Sequence, residues 1–419
     1  MRISLNSPVR KTAFLGAGAV LLISFCALSL QSMLGWWFSR NNTLQGYQRA
    51  ARIDPWNAEY LLQLGNGTQI VDYRQSIGYL ERAVRENPTS ARAWLSLAGS
   101  YALTNQPQKH RQAILKALAA APKDTDVEWE AANLFLLEGD DQTALRLMRD
   151  VVTGDPSRSE AAMQTVYQVS EGDVQKTISA LPATAKARLS LMYWLITHDH
   201  PSEADSVWPS VLAATEKFPP VDSLFYIDSL IDRHEVSRAR TVLSELASRD
   251  PALVRRIEPG NILANGGFEE NLIQRVDRKT GFDWRWDSPS GITVDLDTSV
   301  FHSGSRSLGM TIDSANLADA GMHQLAAVDP GARYSLRGFA RAEELESAHG
   351  LRLAVLDHYS NQVLFLSDEV LGTSPWREIG GEFDIPSSTQ LVRVCFLQSP
   401  ALGIIRGHVW FDDIRLEKR

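Results

Sequence analysis

Four prolines set the period of the first half of this chain. Pro55, Pro88, Pro122 and Pro156 stand 33, 34 and 34 residues apart, and each closes a helix-like segment: RAARIDP, RAVRENP, KALAAAP and RDVVTGDP. Proline lacks an N–H and restricts the residue before it, so it stops one helix and opens the next. The spacing predicts a helix-turn-helix unit per period. One such pair cannot bury its apolar face alone, so the units must stack. From about 157 to 250 the period blurs. There Ala204 with Trp208, and Ala239 with Leu243 before Pro251, read as second helices of two degenerate units. Gly172-Asp173, Pro182 and Pro219-Pro220 mark loops, and five or six helical pairs are expected over 42–256.

Aligned on its closing proline, the clearest unit carries Trp94, Leu97, Ala98, Tyr101, Ala117 and Pro122, and the next carries Ala131, Ala132, Phe135, Ala144, Val151 and Pro156. In period and in these residues the segment resembles the tetratricopeptide repeat. The resemblance implies a solenoid whose concave face binds protein. His110 departs from it, standing where a small alanine is usual, and predicts a looser or shifted helix contact. Trp94, Trp129, Trp194 and Trp208 fall at helical spacing and are read as packing residues rather than a peptide groove.

Ahead of the repeats, Thr12 to Ser39 carries no charged side chain and ends in Trp36-Trp37-Phe38, followed by Arg40. A bilayer core needs about 20 apolar residues, and paired tryptophans suit an interface. The segment is read as an uncleaved transmembrane anchor over 12–39 behind a short tail, 1–11. A signal peptide would have a shorter apolar core and a small-residue cleavage site. Cys26 follows Phe25, where a lipoprotein signal wants a small residue. Arg2, Arg10 and Lys11 before the span favour a cytoplasmic tail, which makes the soluble part of a single-pass inner-membrane protein periplasmic or extracytoplasmic. A net charge of -8, with no basic patch, argues against nucleic-acid binding. The two cysteines, Cys26 and Cys395, lie in unrelated contexts and imply no disulfide framework.

After Glu258-Pro259-Gly260 the periodicity changes from helical to alternating. ITVDLDTS, RSLGMTID, YSLRGFARA, GLRLAVLDH, QVLFLSD, REIGGEFDI, QLVRVCFL and HVWFDDIRL read as strands between turn residues. Eight or nine of them over 258–419 predict a two-sheet antiparallel sandwich. The fold class is therefore multidomain α + β: a transmembrane helix, an all-α repeat arm and an all-β sandwich, with a short linker from Arg255 to Asn261.

NILANGGFE, then Trp284 and Trp286, HSGSRSL, VDPGARYSL, PWREIGGEF and VWFDDIRLEKR occur in the order found in jelly-roll carbohydrate-binding modules of families four, nine and twenty-two. This segment resembles those modules over nearly its whole length. The resemblance implies two sites. One is a structural calcium site with carboxylates from Glu269 and Asp412, and with Ser303 and Ser305 near the expected carbonyls. Asp413 is the alternative to Asp412, because alternation turns only one of them inward. The other is a polysaccharide-binding face, for which Trp284, Trp286, Arg341, His358 and Tyr359 are the candidates. Sugars offer flat C–H faces to aromatic rings and hydroxyls to polar groups. Two residues apart on a strand, Trp284 and Trp286 point the same way, toward ligand or toward core. Trp376 and Trp410 are assigned to the core.

No nucleophile elbow, phosphate loop, HExxH or paired CxxC occurs. The carboxylate pairs Asp283/Asp287 and Asp295/Asp297 are expected on solvent faces, and His198-Asp199-His200 at a helix end. The expected function is non-catalytic: an envelope protein whose arm docks a protein partner and whose sandwich engages an exported polysaccharide. The alternative is a structural scaffold, marked by aromatics that are all buried.

Overall fold

The computed structural model describes residues 8–155, 157–249, 258–273, 279–315 and 317–419. Arg2, Pro156, Pro251 and the linker up to residue 257 lie outside them. Contacts divide the chain into two compact units, Met1–Trp194 and Leu195–Arg419. The expected helix-to-sandwich boundary lay near residue 257.

The first unit is all helical. One long helix, α1 (Pro8–Ser39), precedes α2 (Leu44–Ile53), α3 (Ala58–Thr68), α4 (Tyr73–Glu86), α5 (Ala91–Leu103), α6 (Pro107–Ala120), α7 (Thr125–Glu138), α8 (Asp141–Gly154), α9 (Ser159–Val169), α10 (Val174–Ala180) and α11 (Ala185–Thr197). Small polar residues start them. Asn57, Asp72, Ser90, Asp124, Asp140 and Asp173 each accept backbone N–H groups from the first turn, satisfying donors that have no intrahelical partner. From α1 to α9 each helix packs on the next, and α3 on α5 and α5 on α7 across the repeat. Ala98, Ala117, Ala131, Ala132 and Ala144 are fully or almost fully buried at these contacts. Trp194 and Trp208 are buried as expected, whereas Trp94 and Trp129 are half-buried. His110 does not loosen its contact. Its buried ring reaches the Ala98 carbonyl at 2.9 Å and the Leu134 carbonyl at 3.4 Å, spanning α5 and α7.

The second unit opens with α12 (Pro201–Leu212), α13 (Leu224–Asp232) and α14 (Val236–Arg249). It continues as β1 (Arg285–Trp286), β2 (Ile292–Asp297), β3 (Ser307–Ala315), β4 (Asp319–Ala327), β5 (Arg333–Glu346), β6 (Leu351–Asp357), β7 (Val363–Leu366), β8 (Gly372–Asp384), β9 (Leu391–Gln398) and β10 (Ile404–Lys418). The strands form two five-stranded antiparallel sheets. Sheet I runs β1-β4-β9-β6-β7 and sheet II β2-β3-β10-β5-β8. Their facing side chains make one core, including Phe268, Trp284, Met322, Phe396, Val409 and Phe411. The NILANGGFE segment ties the first and last parts of the sandwich together. Asn261 donates to the Ile414 carbonyl at 3.0 Å and accepts from the Leu416 amide at 2.9 Å. Gly266 lies so close to β10 that an added Cβ would sit 2.0 Å from the Ile414 carbonyl oxygen.

Helix α13 belongs with the sandwich. All of Leu224 to Ile231 is buried, which one helical neighbour cannot achieve. The Asp228 carboxylate accepts from the Gly281 amide at 2.8 Å and pairs with Arg285 of β1 at 2.5 Å. Tyr359, after β6, donates to the Ile231 carbonyl at 2.8 Å and stacks on His234 with centroids 3.8 Å apart. Burial raises the Asp228 carboxyl, with Arg285 and the Gly281 amide opposing it. Removing one partner of a buried pair strands the other, at a cost of about 3–5 kcal/mol. Asp228→Ala is therefore expected to destabilise residues 195–419 by that amount in chemical denaturation. A change below about 1 kcal/mol would show that α13 does not support the sandwich.

Candidate functional site

The strand parity of Trp284 and Trp286 holds, but both turn inward. Trp284 is 1% exposed, donates to the Asn265 carbonyl at 3.2 Å and packs between Phe268 and Phe396. Trp286 is half-buried against the same core. Trp284 thus leaves the ligand-contact set: a ring 1% exposed has no surface for a sugar. Arg285, between the two, faces outward.

The other candidates are dispersed. Arg341 is on sheet II, directly opposite Trp410 of β10, with its guanidinium 5.6 Å from that ring. Trp410 is buried but lies outside the core. Its neighbours Val409 and Phe411 point inward, and its indole rests over Gly309 on the outer face and donates to Asp297 at 2.8 Å. Trp376 is half-exposed and meets the edge of His302 at 5.8 Å on that same face. The core assignment of both tryptophans is corrected accordingly. His358 and Tyr359 stand together beside sheet I, both half-buried, and Tyr359 is engaged by α13. Asp283, expected on a solvent face, is buried.

What gathers on the outer face of sheet I is a set the sequence reading passed over. Arg285, His323, Cys395, Ala354 and Leu366 form one transverse row, as the register of β1, β4, β9, β6 and β7 shows. Arg393 projects from β9 on the same face, two residues from Cys395, and its guanidinium lies 3.7 Å from Asp319. Strands β1 and β9 are two spacings apart, about 10 Å, so Arg285 and Arg393 flank His323. The Nε–H groups of Arg285 and Arg393 are buried and find no hydrogen-bond partner among the described residues. Burial pushes the His323 imidazole down to about 4; Asp287, 3.6 Å away, opposes this, while Arg285, Arg393 and His358 add to it. His358 is lowered likewise, by burial and then by Arg393 and Arg285. Burial pushes the Cys395 thiol up to about 12, leaving it a small neutral floor to the row. The result is a largely buried polar cluster of two arginines, two neutral imidazoles and rim carboxylates.

The resemblance to carbohydrate-binding modules implies a calcium ion at Glu269, Ser303, Ser305 and Asp412. These residues do meet at one turn, 302–306, but as hydrogen-bonding partners of one another. Asp412 accepts the amides of His302 at 2.8 Å, Ser303 at 3.1 Å and Asp413 at 2.8 Å. Glu269 accepts the Ser305 amide at 2.9 Å and the Ser305 hydroxyl at 2.6 Å. Ser303 donates its hydroxyl to Asp413 at 2.8 Å. Asp413 is not the alternative to Asp412. A left-handed backbone at Asp413 (φ 50°) and a register shift in β10 bring both carboxylates to the turn. Calcium wants six to eight oxygens, and here N–H and O–H donors occupy the oxygens. Burial raises Asp412 to about 6, with the Ser303 and His302 amides opposing it. Among the described residues no three acidic, histidine or cysteine side chains group as a metal site. The set does not fit calcium.

The chain thus joins an apolar helix, tetratricopeptide-like helical pairs and a jelly-roll-like sandwich. No known family model and no curated protein matches the sequence. Among solved structures, the sandwich is similar to a CBM4 module at 17% identity, over 38% of this chain and 99% of that one, with a TM-score of 0.29. It is also similar to the CBM22-1 xylan-binding domain of a Paenibacillus barcinonensis protein, at 13% identity over 36% and 91%, with a TM-score of 0.25. The helices are similar to MamA at 20% identity over 41% of this chain and 85% of that one, with a TM-score of 0.24. Likeness in fold does not carry ligand or activity with it.

Two outcomes separate structure from site here. Chelator and added calcium are expected to leave the melting temperature unchanged; a calcium-dependent rise, the mass-action signature of a bound ion, would restore the metal site. Trp284→Ala is expected to cost about 3–5 kcal/mol, as for other buried aromatics, measured by denaturant unfolding. A well-folded Trp284→Ala variant would contradict its place in the core.

Proposed function

We propose that this chain is a non-catalytic binding and assembly protein of a bacterial cell envelope. In this reading α1 anchors it as a single-pass inner-membrane protein with the soluble part in the periplasm. The helical pairs dock a protein partner, and the sandwich binds a polysaccharide during its assembly or export. The observation that carries the sugar half is the Arg285–His323–Arg393 cluster, whose two arginine side chains stay 21% and 25% exposed on one face of sheet I. Support for the protein half comes from Ile70, Leu103 and Leu137. They stand 33 and 34 residues apart, at equivalent places near the ends of α3, α5 and α7, and all three are exposed.

A second reading has its own support. Among the predicted contact aromatics, Trp284 is closed off, Trp286 packs inward and Tyr359 is held by α13. A sandwich without an open stacking ring is compatible with a scaffold that binds protein alone. Full-length protein in lipid nanodiscs, tested against a panel of bacterial polysaccharides, separates the two. At least one polymer is expected to bind, with Arg393→Gln weakening binding tenfold or more in protein that still unfolds cooperatively. Folded protein that binds none would leave the scaffold.

A further inference from the structure

The apolar helix is longer than a bilayer core. Phe14–Ser39 is 26 residues, about 39 Å at the α-helical rise, against a hydrocarbon thickness of about 30 Å. The surplus falls where α1 stops being bare. Upstream of Gln31 its described side chains are exposed, but Gln31, Gly35 and Ser39 form a stripe at four-residue spacing that is covered. Gln31 donates to the Ile53 carbonyl at 2.7 Å, and a Cβ on Gly35 would meet the Tyr60 ring at 3.1 Å. This last part of α1 is therefore already the first layer of the repeat stack.

The Gln31–Ile53 bond also fixes direction. The C-terminus of α2 lies beside Gln31, so α2 runs back along α1 toward the bilayer. The α2–α3 turn, Asp54 to Asn57, then lies at the bilayer end of the first repeat. It carries Trp56, 71% exposed. Arg82 of α4 donates to the Pro55 carbonyl at 3.2 Å, which brings the end of α4 to the same level. Arg49, Arg52 and Arg85 are exposed there, with Asp54 and Glu86 as acidic neighbours. Tryptophan and arginine together suit the headgroup layer, an amphipathic ring with cations facing anionic lipid.

From this we infer that the hydrocarbon boundary lies at Gln31, not at Trp36-Trp37, and that the α2–α3 turn is a lipid-surface contact with Trp56 as its interfacial residue. The inference rests on the anchor reading of α1. Thr12–Leu30 then spans about 29 Å, which matches the bilayer core. Trp36 and Trp37 stand about 8 Å beyond the boundary, outside the hydrocarbon. The first repeat is seated on the membrane rather than tethered above it, and the orientation of the helical unit follows from α1 without a flexible stalk.

The test uses full-length protein in anionic-lipid vesicles in a Cys26→Ser background. Single substitutions Leu22→Cys, Leu28→Cys and Leu34→Cys are reacted with a membrane-impermeant maleimide. Leu34→Cys is expected to react at least tenfold faster than the other two. Nitroxides placed by Trp56→Cys and Ile70→Cys then report collisions with lipid-soluble oxygen and with an aqueous nickel chelate. Oxygen is expected to dominate at position 56 and nickel at position 70. Protection at Leu34→Cys, or nickel-dominated relaxation at both nitroxides, overturns the placement while leaving the anchor intact. Rapid labelling of Leu22→Cys would overturn the anchor itself.

Discussion

The second unit depends on one buried carboxylate. Asp228 sits on a helix whose every residue from Leu224 to Ile231 is buried, and it satisfies both the Gly281 amide and the Arg285 guanidinium. Without it, the loop into β1 would have an unpaired amide and the sheet edge an uncompensated cation. Burial makes the carboxylate costly to ionise, so its two partners are needed as much as it is. Arg285 in turn stands in the transverse row with His323. The interaction that holds helix to sheet therefore also positions one wall of the polar patch. The patch is set by the junction of helix and sandwich, and a sandwich cut free of α13 would lose part of it.

This coupling explains where the sequence was readable and where it was not. The proline period predicted the helical pairs because each proline acts locally, through its own missing N–H. The eight strands predicted from alternation are β2, β3 and β5 to β10, but β4, DAGMHQLAA, was missed. It is buried along nearly its whole length, so it carries no polar–apolar alternation to read. Trp284 and Trp286 show the limit of parity: period two tells that two side chains share a face, not which face the core occupies. The residue of the proposed site is the one between them. Arg285 and Arg393 look like ordinary strand arginines in sequence, and only the register of β1, β4 and β9 brings them around His323.

The turn at 302–306 shows a different limit. Glu269, Ser303, Ser305 and Asp412 meet at this turn. Their chemistry depends on which hydrogens point where, and the backbone amides of His302, Ser303 and Ser305 face the carboxylates. A left-handed residue at Asp413, invisible to an alternation rule, then delivers a second carboxylate to the same turn and pairs it with His302 at 2.7 Å. The turn is a hydrogen-bonded staple between the start and end of the sandwich.

The most direct measurement is native-state hydrogen exchange on the second unit. If Asp228 joins helix and sandwich into one body, the Gly281 amide should exchange only through an opening shared with α13, β4 and β9, at one common free energy. Exchange of Gly281 and α13 through a low-energy opening that leaves β4 and β9 protected would contradict it. The helix would then be a neighbour of the sandwich, and the patch would belong to the strands alone.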